Sequence, residues 1–520
     1  MQLILTIFHH LIGPKIYLAY PDETDKDLEM LLGQLLDLNG SEDQFSEYRD
    51  TQLGNKVIYN YKFSIPSEWS RGRKEMAMYA IISEKPLKLN FYQKHIDELV
   101  REFKQSPHFY KAFYKDERRG QGVDEQYGLL TEKTEDLYCF LKTKIKQHHI
   151  VRKIKENLEE YALNIVDLQY EKHPSLLKTF TKRQKAYTID DTKHNLDYLV
   201  QSIQFGFSQY FCRYLKWLNV VLVSRGLSAE LLSENIKCIG EFLESKFERK
   251  EYSVIRRYLD DALESLNQGV DTPESYLEIL DAPVSIEEIS NDLKERDLAN
   301  MEDREKKVFL TKLAKIYFQL IRRRQRHDAI HLILNAVDSG LPIIDVYQKV
   351  FQPVQYEIGR LWELNEISVA EEHYYTAITQ LCISQLYPKI FSAKRIGKTM
   401  VAACIGGELH EMGIRMLADI FELYGWDTHY LGANVPVESI ISTVKETKAK
   451  LIAISATMLK HVDNVKELIE KIRDSSIRDV KILVGGYPFS INPDLWQLIG
   501  ADDYAVSASE AVEKALELTS

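Results

Sequence analysis

Gly406-Gly407-Glu408-Leu409-His410-Glu411-Met412-Gly413 places a histidine at the junction of a strand and a helix. The run Thr399–Cys404 before it is mostly apolar and reads as a buried parallel strand. After it, Met416, Leu417, Ile420, Phe421 and Tyr424 recur at helical spacing and Gly425 reads as the C-cap, so 414–424 is expected to be a helix. The histidine therefore sits on a loop at the carboxyl end of a strand, the edge at which open α/β sheets bind ligands. An imidazole there can ligate a metal, and the neighbouring glycines let backbone approach a large ligand. The same residue in an ordinary α/β domain is equally served by a nearby backbone group.

Two later segments bear on that choice. Leu451–Thr457 is a strand ending in Ser455 and Thr457, and Lys481–Gly486 is a strand ending in Gly485 and Gly486. With strands at 399–404, 428–431, 451–455, 481–484 and 503–506 alternating with helices, a flavodoxin-like order 2-1-3-4-5 brings the first, third and fourth strands together. The loops carrying His410, Ser455/Thr457 and Gly485/Gly486 then converge on one edge.

This set resembles the cobalamin-binding domain of methionine synthase, corrinoid methyl carriers and cobalamin photoreceptors, with its Asp/Glu-x-His-x-x-Gly, Ser-x-Leu/Thr and Gly-Gly motifs. The resemblance implies that His410 is the lower axial ligand of cobalt and that Glu408 orients it. Glu408 stands where Asp is usual, and its longer reach alters that hydrogen bond. Gly413, Ser455, Thr457, Gly485 and Gly486 would line the channel that takes the nucleotide tail.

Upstream, helical stretches at 305–321, 326–338, 342–362 and 369–391 have short connections, which makes neighbours antiparallel and the whole a four-helix bundle. Gly340 ends the second helix and Pro342 starts the third. Ser368-Val-Ala-Glu371 reads as a capping box for the fourth. The third-to-fourth hairpin brings Trp362, Glu372 and His373 to one end of the bundle. Trp362, nine residues, then Glu372-His373 resembles the cap of light-sensing, adenosylcobalamin-binding regulators typified by the CarH-like proteins. That implies that Trp362, Glu372 and His373 face the upper, adenosyl side of the cofactor. The family's histidine after the tryptophan is Glu363 here, which puts a bis-histidine photoproduct in doubt and leaves the upper ligand after adenosyl loss open. Helix-turn-helix patterning is not evident.

The 520 residues suit three or four domains. A net charge of −11 disfavours general nucleic-acid binding. There is no 18-residue apolar stretch and no signal-peptide pattern, so a cytoplasmic protein without membrane segments is expected. Cys139, Cys212, Cys238, Cys382 and Cys404 are scattered in apolar surroundings and read as buried free thiols. Residues 1–115 show strands at 3–9, 15–20, 45–50, 56–63 and 75–83 with helices at 28–38 and 95–104. That order resembles longin or roadblock-like regulatory modules, and a PAS-like or profilin-like fold fits nearly as well. Residues 115–125 read as a linker, and 128–265 as an all-helical sensor or interaction domain rich in Tyr and Trp. Those aromatics suit a core. They also suit a flat second tetrapyrrole such as biliverdin, by comparison with photocobilins. Residues 266–304, with Pro273, Pro283 and many acids, read as a solvated linker, 305–392 as the bundle cap and 397–520 as the Rossmann-like cobalamin domain.

The fold expected is therefore multidomain: an antiparallel α+β domain, a helical domain, a four-helix bundle and a five-stranded parallel sheet. The function expected is an adenosylcobalamin photoreceptor or cobalamin sensor, not itself an enzyme. It would form a homo-oligomer and signal to a downstream protein through its N-terminal or helical domain. The alternative is a corrinoid carrier of methyl groups for a methyltransferase, and a scaffold with structural cobalamin is a third reading.

Overall fold

The computed structural model describes residues 1–520 except 25, 38–40, 50–55, 85, 88–89, 118–119, 175–180, 270–271, 278–284, 296–297, 299–300 and 392. Leu38, Asp50, Pro283 and Ser392, each part of a sequence expectation, lie outside the described residues. The chain divides into two compact units, Met1–Ile150 and Val151–Ser520.

In the first unit, β1 (Gln2–His9), β2 (Gly13–Tyr20), β3 (Phe45–Arg49), β4 (Val57–Pro66) and β5 (Lys74–Ser83) form one antiparallel sheet in the order β2-β1-β5-β4-β3. Apolar residues occupy both faces, so the sheet needs a cover on each side. Ile4, Ile58, Met78 and Ala80 pack on the Lys26–Asp37 helix. Leu3, Leu5, Tyr59 and Tyr79 pack towards the Asn90–Gln105 helix. The same second face carries Leu130, Leu137 and Leu141 of a 34-residue helix, Val123–Glu156. The expected start of the helical domain at 128 is thus corrected: residues 128–150 belong to the first unit. Buried Tyr79 and Thr134 share a hydroxyl hydrogen bond of 2.9 Å that fixes this helix on the sheet. Residues 115–125 are only partly a connection, since the 3-10 segment Phe109–Glu117 enters them from one side and the long helix from the other. Cys139 is exposed on that helix, contrary to expectation, while the other four thiols are buried.

The second unit begins with helices Leu158–Lys172, Lys182–Phe205, Gln209–Ser224, Ala229–Lys246 and Arg249–Asn267. Leu196, Leu199, Ile203, Phe211, Leu215 and Leu218 are buried as their spacing predicts, Leu222 of the same expected face is only half-buried, and the Gln209–Ser224 helix ends at Gly226 with φ 82°. Segment 266–304 is more than a solvated linker. Ile289 on the helix Ile286–Glu295 and Leu298 are fully buried in the bundle core, and Tyr276 donates its backbone N–H to buried Glu357 at 3.0 Å. Acidic composition hid this because one amphipathic turn suffices to dock.

The bundle comprises Asp303–Arg322, Arg326–Asp338, an interrupted third helix, and Val369–Ile390. The Ser368 capping box is present: Ser368 Oγ accepts from Glu371 N at 3.2 Å, and Glu371 Oε2 accepts from Ser368 N at 2.9 Å. The third helix contains a π turn, Tyr347–Phe351, between Ile343–Val346 and Gln352–Glu363. Helical periodicity gives no hint of it. It turns Tyr347 towards buried Asp419 and Gln348 towards Ser509, which ties the bundle to the C-terminal domain.

The C-terminal sheet is parallel: β6 (Thr399–Cys404), β7 (Asp427–Tyr430), β8 (Leu451–Ser455), β9 (Lys481–Gly485) and β10 (Asp503–Ala505), ordered β10-β9-β8-β6-β7. This is the expected 2-1-3-4-5 order, and β6, β8 and β9 are adjacent. Among the described residues, no helix is long and apolar enough to cross a membrane.

Candidate functional site

The loop after β6 carries a network that begins behind the histidine. Glu408 is fully buried. Its Oε1 accepts from His410 N at 2.9 Å and is 2.5 Å from His410 Nδ1. Its Oε2 accepts from Thr457 N at 2.6 Å and Met458 N at 3.1 Å, and is 3.0 Å from His461 Nδ1. Burial alone would raise its pKa, but the bonds from His410, His461 and Thr457 outweigh it and hold the carboxyl far below the usual range. The hydrogen bond to Glu408 raises the His410 pKa against an opposing effect of burial. With Nδ1–H turned to Glu408, the lone pair of neutral His410 sits on Nε2, which has no partner among the described residues. The His410 side chain is 62% exposed.

The sequence carries no local signal for His461. It ends a 3-10 turn, Leu459–His461, with no motif around it, and reaches Glu408 only through the fold. Its ring also explains Gly407. At φ 88°, a Cβ there would lie 3.1 Å from His461 Nε2.

One cavity of about 1210 Å³ is lined by every site residue expected from the sequence except Glu408, which stands behind His410. That exceeds the roughly 300–1,000 Å³ of ordinary small-molecule clefts. Ser455 and Thr457 close the end of β8, while Gly485 and Gly486 follow β9. Ala453, Leu483, Ala505 and Ala508 extend the cavity inward along the sheet edge. A Cβ at Gly413 would meet no protein atom within 4 Å, so its lack of a side chain leaves open space rather than serving packing. Gly486 differs. At φ 110°, a Cβ there would lie 2.1 Å from Ala456 O, so it is required by the close passage of the β8 and β9 loops as well as by the cavity. Gly486→Ala is expected to cost about 3 kcal/mol, read as a lowered denaturation midpoint.

Trp362, Glu372 and His373 lie at one end of the bundle and line the same cavity as His410. Glu372 accepts from Thr376 Oγ1 at 3.0 Å, and the His373 side chain is 74% exposed. Trp362 lies under the Arg225 guanidinium, 5.0 Å from its ring centroid. The cavity also reaches Tyr198, Tyr214 and Trp217 of the helical segment. Their aromatic character was legible, but not their position.

A partnerless imidazole nitrogen backed by a buried carboxylate, above a channel of small residues, fits a corrinoid held through its metal and its tail. Protein-family models described as B12 binding domains match residues 398–517 and 313–387. The dimethylamine corrinoid protein of Methanosarcina barkeri is 33% identical over 167 residues, which are 32% of this chain and 75% of that protein. Dimethylamine corrinoid protein 2 of Methanosarcina mazei is 35% identical over 199 residues, 38% of this chain and 86% of that protein. The chain belongs to the B12-binding corrinoid-protein family. The solved structure of the Methanosarcina barkeri monomethylamine corrinoid protein is also similar, with a TM-score of 0.36, 23% identity, and coverage of 39% of this chain and 96% of that one. Family membership supports cobalamin as the ligand. It does not support the expected closeness to light-sensing regulators, because the curated relatives are named dimethylamine corrinoid proteins. The Trp-x9-Glu-His spacing is a short pattern, whereas the B12-binding family models cover 313–387 of the bundle and 398–517 of the sheet domain.

Asp419, behind the cavity, carries a second perturbed carboxyl. Burial raises its pKa to about 6, opposed by the hydrogen bond from Tyr347 O–H at 2.8 Å and by Arg415. A raised folded-state pKa gives stability that is complete below the unfolded value of 3.8 and is lost as pH rises through about 6. Relative to Asp419→Asn, the wild type should therefore gain about 2 kcal/mol between pH 7 and pH 4, measured as the difference between the two proteins' unfolding free energies at each pH.

Proposed function

We propose that this chain is a corrinoid protein that carries a methyl group on cobalamin for a partner methyltransferase. The observation that carries this reading is the His410–Glu408 pair, with Nε2 open to the cavity. It is supported by the similarity to dimethylamine corrinoid proteins. In this reading His410 is the lower ligand of cobalt and Glu408 fixes its tautomer, with His461 and the Thr457 and Met458 amides holding Glu408. Gly413, Ser455, Thr457, Gly485 and Gly486 make room for the tail. Trp362, Glu372 and His373 face the upper side. A bound corrinoid supplies the cobalt–carbon bond. The protein's part is to hold and orient it and to shield it from water. Residues 305–520 are the corrinoid module, and the N-terminal sheet and helical segment are the surfaces for a partner. The test is uptake of methylcobalamin by the purified chain, followed by loss of its methyl group to a thiol acceptor in the presence of a corrinoid-specific methyltransferase. Uptake without any methyl loss would overturn methyl carriage.

A second reading, an adenosylcobalamin photoreceptor or sensor, is favoured by one observation: the helical segment reaches over the cavity at Trp362. Its test is illumination of the adenosylcobalamin-loaded chain with green light, read as a change in spectrum and oligomer size. The aromatics of the helical segment are accounted for by its core and by this cavity, without a bilin.

A further inference from the structure

The N-terminal sheet unit gathers a second set of ligand-type side chains. His9 is the last residue of β1, His10 opens the turn to β2, and Glu117 ends the 3-10 segment Phe109–Glu117. One potential ligand atom from each of the three lies within 4.8 Å of the other two. His9 Nε2 is 3.3 Å and His10 Nδ1 is 2.9 Å from the same oxygen, Glu117 Oε1. The two imidazoles stack almost parallel, with ring centroids 5.0 Å apart and planes 10° apart. The His9 and Glu117 side chains are 8% and 10% exposed, and that of His10 is 38% exposed, so the set is sealed on one side and open on the other.

The supports are fixed independently of these three side chains. His9 pairs with Gly13 in the β1–β2 ladder. Phe109, Tyr110, Phe113 and Tyr114 bury the 3-10 segment in the core of this unit. Tyr17 of β2 donates its hydroxyl to Ala112 O at 2.7 Å and accepts from Lys115 N at 3.2 Å. Ligands carried on docked elements lose little freedom when an ion binds. The adjacent carboxylate, Asp116, is engaged by Lys15 instead.

Without an ion, the arrangement is two neutral imidazoles sharing one carboxylate oxygen. The spacing also suits coordination. Ligands about 2.0–2.2 Å from a tetrahedral zinc lie about 3.3–3.6 Å from one another. The His9 contact already has that spacing and the His10 contact is about 0.4 Å short of it. Two nitrogens and one oxygen suit zinc and its first-row neighbours, whereas Ca²⁺ and Mg²⁺ take oxygen. We propose that His9, His10 and Glu117 form a site for a divalent transition cation of the zinc type, with water in the fourth position on the open side. Ligation needs the His9 proton on Nδ1 and the His10 proton on Nε2. His9 Nδ1 accepts from Leu11 N at 3.2 Å, and that bond is given up to solvent in the turn, where Leu11 is 74% exposed. The bound ion would tie the β1–β2 turn to the 3-10 segment. The proposal is independent of the corrinoid reading.

The test titrates the metal-free full chain with Zn²⁺ against a chromophoric chelator. A His410→Ala background keeps the open imidazole of the C-terminal cavity from taking the ion. His9→Ala, His10→Ala and Glu117→Gln are compared in that background, and circular dichroism checks each fold. One equivalent of Zn²⁺ is expected to bind, with affinity falling at least tenfold in each variant. Co²⁺ in its place should show the visible d–d bands of a four-coordinate site. Zn²⁺ should also raise the thermal unfolding midpoint of the parent, because it binds the folded chain, and should do so less in the variants. Should His9→Ala fail to fold, exposed His10→Ala and near-isosteric Glu117→Gln decide. No Zn²⁺ uptake by the parent, or a loss of less than tenfold in any folded variant, would overturn the proposal.

Discussion

His410→Ala is expected to lower the affinity for methylcobalamin about 100-fold, at or beyond the upper end of what removal of a supporting residue costs a metal site, with little change in fold stability. The two effects separate because of where the atoms lie. The His410 side chain is 62% exposed, so its removal gives up little packing. Glu408 keeps the His410 backbone N–H, the Thr457 and Met458 amides and His461 after the change. Its carboxylate therefore stays satisfied, and unfolding should shift by no more than about 1 kcal/mol. What disappears is the Nε2 lone pair. The absorbance spectrum of the bound corrinoid should change along with the affinity, since the lower ligand is altered. Unchanged spectrum and affinity would show that the imidazole is not a ligand.

The sheet and its site were legible because their signals are local. A strand, a loop and a helix in sequence define each crossover, and right-handed βαβ connection leaves few orders open. His410, Ser455 and Gly485/Gly486 then follow from being at strand ends. The Ser368–Glu371 capping box was legible for the same reason, since its four residues bond one another. His461 was not legible. Its bond to Glu408 spans 53 positions, and a histidine at a helix start carries no local signature. Trp217 donates to Glu363 across 146 positions. The aromatic spacing of 194–226 predicts a buried face, and the choice of neighbour for that face is made by tertiary packing. Residues 128–150 read equally as part of either unit, because Leu130, Leu137 and Leu141 recur at a spacing that suits a helix on a sheet as well as a helix in a bundle.

The residue behind the ligand should matter more to the fold than the ligand does. Glu408→Ala removes, at a fully buried position, the one acceptor group that serves His410 N, His410 Nδ1, Thr457 N, Met458 N and His461 Nδ1. These donors belong to the loops after β6 and β8, so the carboxylate is the tie between two neighbouring strand ends. Breaking a buried charged network by removing one partner costs about 3–5 kcal/mol. Glu408→Ala should fall in that range by denaturant unfolding, and lose corrinoid affinity about 10–100-fold because the His410 tautomer is no longer fixed. Glu408→Gln separates the two consequences. It keeps the volume and one acceptor oxygen, but turns an amide N–H₂ towards part of the donor set. With the oxygen on the His410 side, the amide group meets the Thr457 and Met458 N–H groups, which cannot become acceptors, whereas His461 can by changing tautomer. Stability should then fall by less than in Glu408→Ala while remaining below wild type. A variant with alanine at 408 that unfolds within about 0.5 kcal/mol of wild type would mean that the carboxylate does not tie these loops together, and the orientation of His410 would then need a different cause.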